Sequence, residues 1–205
     1  MIVQHDSSDN PPPREHPWTD AASGPHARYW NFVSHPEQIP LVLEDFKPFA
    51  HYQGTQTFYD LLRWLNGPHS PFESNDCGLR PPRTDHGTPG IIRVFFESDP
   101  VVFQGRLTVL YRNLNLNSSP RHIQWLKQRV HEALRDRVPH FAAAVFVGEW
   151  PHWFIPTDKA GQVLSLRFWA WGEDEAQAMH NLGNIFENLR ALFEALAAAI
   201  GLETL

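Results

Sequence analysis

Eight side chains able to act as acids, bases, nucleophiles or ion-pair partners crowd into residues 67–90, GPHSPFESNDCGLRPPRTDHGTPG: His69, Glu73, Asp76, Cys77, Arg80, Arg83, Asp85 and His86. Glu73, Asp76 and Asp85, with His69 and His86, have the chemistry of general acids and bases at a pocket mouth. Arg80 and Arg83 suit a clamp on a carboxylate or phosphate. The stretch shows neither a helical nor a strand period, and compact domains seldom keep so long an irregular segment without a use for it. The plainer account is that Asn75 and Asp76 close turns against their own backbone while Arg80 and Arg83 pair with nearby acids.

Cys77 is the only cysteine. A nucleophilic thiolate needs a lowered pKa from an imidazolium or a helix N-terminus, whereas the flanking Asp76 and Glu73 raise it. No spacing matches a cysteine-hydrolase signature, so a small buried hydrophobe is the alternative. The 12 histidines never lie two, three or four residues apart; the closest pairs, such as His122 and His131, are nine apart and fall on opposite sides of a helix. With no H-E-x-x-H and no paired C-x-x-C, no metal site is expected, and the residues name no cofactor. P-loop, Rossmann and α/β-hydrolase fingerprints are also missing, which disfavours those chemistries.

A second group of candidates lies in VLSLRFWAW, where Leu164, Leu166, Phe168 and Ala170 alternate with Ser165, Arg167, Trp169 and Trp171. Period-2 alternation predicts a strand with one apolar face for the core. Its other face carries indoles around a guanidinium, joined by Arg93 and Phe95 if the strand at 91–97 is oriented to match. Such a face receives an anionic or aromatic ligand by stacking and charged hydrogen bonds. Alternatively the proline-rich first half covers it and the indoles are ordinary core. In EWPHWFIP, 149–156, Trp153 and its neighbours Trp150, His152 and Phe154 form either a pocket rim or a packed corner.

These groups need a scaffold, and the sequence outlines one. Thirteen of the 18 prolines precede residue 90, dividing an irregular first part from a regular second part. Residues 1–28, with almost no aliphatic side chain, are expected to form a mobile Pro-rich extension that Trp18 alone could anchor; residues 29–205 form one α+β domain. Short turns are expected over 28–53, then a helix from Thr57 to Asn66 with Thr57 as its cap. From 91 to 200 the order reads strand, strand, helix, strand, strand, helix: a hairpin of 91–97 with 106–112, a helix from Pro120 to Val138, strands near 143–149 and 163–171, and a helix from 173 that Gly201 terminates. Two tandem strand-strand-helix units predict an antiparallel sheet with helices on one face.

With 23 acidic against 17 basic residues the chain carries a net charge of −6 and has no Lys/Arg cluster, which argues against nucleic acid as a partner. No stretch reaches the roughly 20 apolar residues of a membrane span, and the lone cysteine and the polar N-terminus point to the cytoplasm. The leading expectation is a soluble domain that binds a small molecule or a protein partner between the 67–90 segment and the Trp/Arg face of the sheet. The alternatives are an enzyme using the loop carboxylates, histidines or Cys77, and a homodimer built on the last helix or Trp125.

Overall fold

In the computed structural model, residues 2–5, 14–17, 30–84, 99–135 and 142–203 are described. Among them the chain builds β1 (Ile2–His5), β2 (Arg14–His16), the one-turn α1 (Ile39–Val42), α2 (Gln53–Leu65), β3 (Phe72–Thr84), β4 (Val101–Tyr111), the one-turn α3 (Leu114–Asn117), α4 (Pro120–Arg135), β5 (Ala143–Phe154), β6 (Lys159–Gly172) and α5 (Glu175–Glu203). This is a mixed α+β arrangement around a six-stranded sheet of order β1-β5-β6-β4-β3, in which β2 also pairs with β5. The four long strands are antiparallel neighbours, whereas β1 and β2 run parallel to β5, so the sheet is mixed and not wholly antiparallel.

One face of the sheet is packed by helices. Leu107 and Val109 of β4, Val145 and Val147 of β5, and Leu164, Leu166 and Phe168 of β6 lie in one core with Leu61 and Leu62 of α2, Ile123 and Leu126 of α4, and Met179, Phe186 and Phe193 of α5. A ladder of rings joins the layers: Phe58 meets Phe186 at 4.5 Å between centroids, and Phe186 meets Phe168 edge-on at 5.1 Å. Each ring buried in this way contributes on the order of 2–3 kcal/mol. α2 and α5 approach until Gly54 and Gly183 touch, because neither has a side chain to hold the backbones apart.

α2 begins four residues before the expected cap. Thr57 is interior, and its hydroxyl donates to the Gln53 carbonyl at 3.0 Å. The start is set instead by Thr55 and Gln56, whose side chains donate to Phe49 O and Ala50 O and tie the first turn to the 3₁₀ turn Glu44–Phe49. At the other end Arg112 donates to the carbonyls of Leu65, Gly67 and Phe72, clamping the C-terminus of α2 to the start of β3. α5 opens with Asp174 Oδ1 accepting from Gln177 N and Gln177 Oε1 from Glu173 N. It continues through Gly201 to Glu203, so that glycine does not end it.

The largest departure from the sequence reading is β3. Residues 72–84 are not an irregular loop but a 13-residue edge strand that pairs with β4 from Phe72↔Tyr111 to Thr84↔Val101. Both hydrogen-bonding edges of β4 are thus taken up, by β3 and β6, which leaves none for the expected hairpin; its 91–97 half, with Arg93 and Phe95, lies outside the described residues. β5 likewise runs on to Phe154, so 149–154 is strand and not a corner. Of the segment read as an N-terminal extension, Ile2–His5 and Arg14–His16 pair with β5; Trp18 lies outside the described residues.

Candidate functional site

The sheet face turned away from the core carries the polar and aromatic side chains in rows fixed by strand register. One row runs Gly78–Arg106–Arg167–Phe146, so two arginines stand directly opposite each other on β4 and β6. The next runs Arg80–Gln104–Trp169–Ala144, and beyond it Trp171 packs with Val102 and Ala144. Phe146 meets Trp169 edge-on at 5.0 Å. On the other side of the arginine row lie Asp76, Thr108, Ser165 and Gly148.

This face is concave at one end. In a flat sheet β5 and β3 would be separated by three strand spacings, about 14 Å. Yet Asn75 Nδ2 on β3 lies 2.8 Å from His152 Nε2 on β5, so the two side chains reach each other across β4 and β6, which takes a sheet curved towards its outer face. A bulge contributes to the bend: the register with β4 shifts between Ser74 and Asp76, inserting Asn75 as an extra residue.

The contact between the edges is a chain of buried polar groups. His16 on β2 stands between Glu73 Oε1, 3.0 Å from its Nε2, and Asn75 Oδ1, 2.6 Å from its Nδ1. Asn75 then donates through Nδ2 to His152 Nε2, and His152 Nδ1–H donates to Trp150 O at 3.3 Å. The amide has one accepting and one donating end, so this order assigns the His152 tautomer and places an acceptor at each ring nitrogen of His16. Burial lowers the His152 pKa from 6.5 to about 4, as do the positive charges of His16 and Arg14, against the opposing effects of the Trp150 carbonyl and Asp76. Beside this chain Asp76 accepts from Arg14 Nη1 at 3.0 Å, while Arg106 donates to it through Nε at 3.0 Å and Nη2 at 3.2 Å.

Six of the residues singled out in the sequence, Glu73, Asp76, Arg80, Arg167, Trp169 and Trp171, share this face. Arg83 pairs in register with Val102 of β4. Cys77 does not share the face: it pairs with Leu107 and packs on the helix-covered core, where burial and the Asp76 carboxylate push its thiol well above the usual range against the weaker pull of Arg106. His69 sits between α2 and β3, lining a shallow groove of about 330 Å³ with Asp60, Arg63, Trp64 and Arg190. Trp153 pairs with Glu15 and Ala160 and is 41 % exposed. Asp85 and His86 lie outside the described residues.

Of the residues that close the concave end, His152 was expected at a pocket rim or packed corner and Asn75 in a turn, whereas His16, Arg14 and Arg106 were not singled out from sequence. Arg106 had a visible signal, since it alternates with Leu107 and Val109 in RLTVLYR. His16 had none, because its partners are 57 and 59 residues away. Two buried polar atoms on the same face, Ser165 Oγ and Trp171 Nε1, have no hydrogen-bond partner among the described residues, a condition that calls for a reason when the groups are so deeply buried. Among the described residues no group of three or more His, Cys, Asp or Glu is arranged to hold a metal ion, and no helix is long and apolar enough to cross a membrane. Comparisons of the chain with protein-family models, with curated proteins and with solved structures find no match.

Proposed function

We propose that this chain is a binding domain for a small anionic molecule, received on the concave outer face of the sheet between Arg106, Arg167 and Trp169. The observation that carries the reading is the direct cross-strand pairing of Arg106 with Arg167. Like charges directly opposite in a sheet are unfavourable, and a fold keeps such a pair where negative charge meets it. Asp76 offsets part of that charge on Arg106, and Arg167 is itself engaged by an interaction within the chain. Positive charge gathered on one face of a chain whose net charge is −6 attracts and orients an anion. Trp169 and Phe146, one row apart, offer ring faces and edges to a flat ligand body. Ser165 Oγ and Trp171 Nε1 add polar groups on the same face.

A thermal-shift screen of small carboxylates, phosphates and aromatic acids tests this reading. Stabilisers are expected, and their shifts should vanish in Arg167→Ala and Trp169→Ala but persist in Arg129→Ala, a change on the exposed side of α4. A screen without stabilisers, or stabilisers indifferent to both face substitutions, would overturn it.

A further inference from the structure

We propose that β2 is an acid-released strap, which closes the concave end of the outer face at neutral pH and lets go of β3 when the protein is acidified. The strap does not depend on what the outer face binds. β2 is three residues long, and its backbone pairs with β5 from Arg14↔His152 to His16↔Phe154. So short a ladder holds weakly by itself. Side chains fasten β2 to β3, at the far side of the sheet order: Arg14 Nη1 reaches Asp76 Oδ2 at 3.0 Å, His16 Nε2 reaches Glu73 Oε1 at 3.0 Å, and His16 Nδ1 reaches Asn75 Oδ1 at 2.6 Å. Each of these fasteners includes a group that titrates.

The join at Asn75 gives the strap its pH sense. The amide has one accepting and one donating end, and a histidine stands at each: Oδ1 accepts from His16 Nδ1–H, and Nδ2 donates to His152 Nε2. The chain is complete only while one of the two facing ring nitrogens carries no proton. Two protonated imidazoles would present an N–H to both ends of the amide, and turning the amide over moves the conflict from one histidine to the other. His16, Asn75 and His152 are all buried, so a donor left facing a donor is costly there. Phe154 walls the join, its ring 6.0 Å from that of His16 and 6.2 Å from that of His152. The charged and titratable groups around it are His16 and Arg14 from β2, Glu73 and Asp76 from β3, and Arg106 of β4, which is bound to Asp76. Arg112, just past β4, acts on Glu73, and β6 places Gly161 opposite His152. Burial, with the charges of His16 and Arg14, keeps His152 unprotonated in the closed form down to about pH 4, whereas once released it takes its proton near 6.5. The closed form is therefore at full strength above pH 6.5 and loses ground to the released form as the pH falls towards 4.

The test is hydrogen exchange of the full chain, read over residues 14–16 and 152–154 and corrected for the intrinsic effect of pH on exchange. Protection of these segments should fall roughly tenfold per pH unit between pH 6.5 and about 4, because release takes up one proton. Low urea should leave their exchange unchanged, the mark of a local opening, while α5 stays more strongly protected throughout. His152→Gln removes the titrating ring and keeps an acceptor for Asn75, so its profile should be flat with pH. No protection of β2 at neutral pH, protection indifferent to pH, or exchange that follows α5 with the same urea dependence would each overturn the strap. A slope retained in His152→Gln would overturn the histidine conflict as its cause, and if that variant does not fold, the pH and urea dependences of the parent decide.

Discussion

Asn75 Nδ2 lies 2.8 Å from His152 Nε2 although their strands stand at nearly opposite ends of the sheet order. One amide therefore does what no backbone ladder can across that gap: it ties edge strand β3 to β5 and, through Oδ1, to His16 on β2. The curvature that makes the outer face a hollow depends on this join. Asn75→Ala would take from His16 Nδ1 and His152 Nε2 the amide they share, at a cost of about 2–6 kcal/mol, since each buried group so deprived costs roughly 1–3. Urea unfolding measures it, and a loss below about 0.5 kcal/mol would mean that the chain does not hold the edges together.

His152 sets a pH dependence. The unfolded chain takes up the imidazole proton near pH 6.5, and the folded protein takes it up only near pH 4. Between those values the unfolded state binds more protons, so this histidine's contribution to stability is whole above about pH 6.5, falls as the pH drops towards 4 and is lost below it. The full loss amounts to about 3 kcal/mol. A protonated His152 would also turn a second N–H towards the Asn75 amide. The difference between the parent and His152→Gln stability curves over this range isolates the effect; parallel curves would contradict it.

Cys77 is expected to react slowly with a thiol reagent in the native protein and at the ordinary rate once unfolded. Burial and the neighbouring Asp76 hold the thiol protonated, and its side chain packs on the core. Rapid native-state labelling would revive a nucleophilic role.

Gly54→Ala separates packing from propensity. In an exposed helix the change would gain up to about 1 kcal/mol. Here the new Cβ falls on the Met179 carbonyl oxygen, which belongs to the backbone of α5 and cannot rotate away. A net loss of about 2 kcal/mol or more is expected in urea unfolding; a gain would show that α2 and α5 can part easily.

The sequence made some of this legible and concealed the rest for identifiable reasons. Strong periods survived translation into structure: Leu164, Leu166 and Phe168 are buried on β6, and Met179, Leu182, Phe186, Leu189 and Phe193 are buried on α5. β3 was hidden because Asn75, Asp76, Gly78 and Pro81-Pro82 are poor strand formers, and because the bulge at Asn75 breaks the two-residue alternation in mid-strand. Allowing for one skipped residue, Phe72, Ser74, Cys77 and Leu79 face inward and Glu73, Asp76, Gly78 and Arg80 outward. Arg167 and Trp169 could be named from sequence because β6 advertises a polar face; Arg80 was named only as a charged member of a segment read as a loop. That they share one face with Arg106 depends on the β3–β4–β6 register, which joins residues 78, 106 and 167 and leaves no local trace.

The measurement that bears most directly on the outer face as a binding site is a crystal structure of the protein with its strongest small-molecule stabiliser. The ligand should lie on the concave face, with a polar atom within about 3.2 Å of the Arg106 or Arg167 guanidinium and its body against Trp169. A ligand ordered elsewhere, for instance in the groove between Arg63, His69 and Arg190, with the arginine row untouched, would contradict the account.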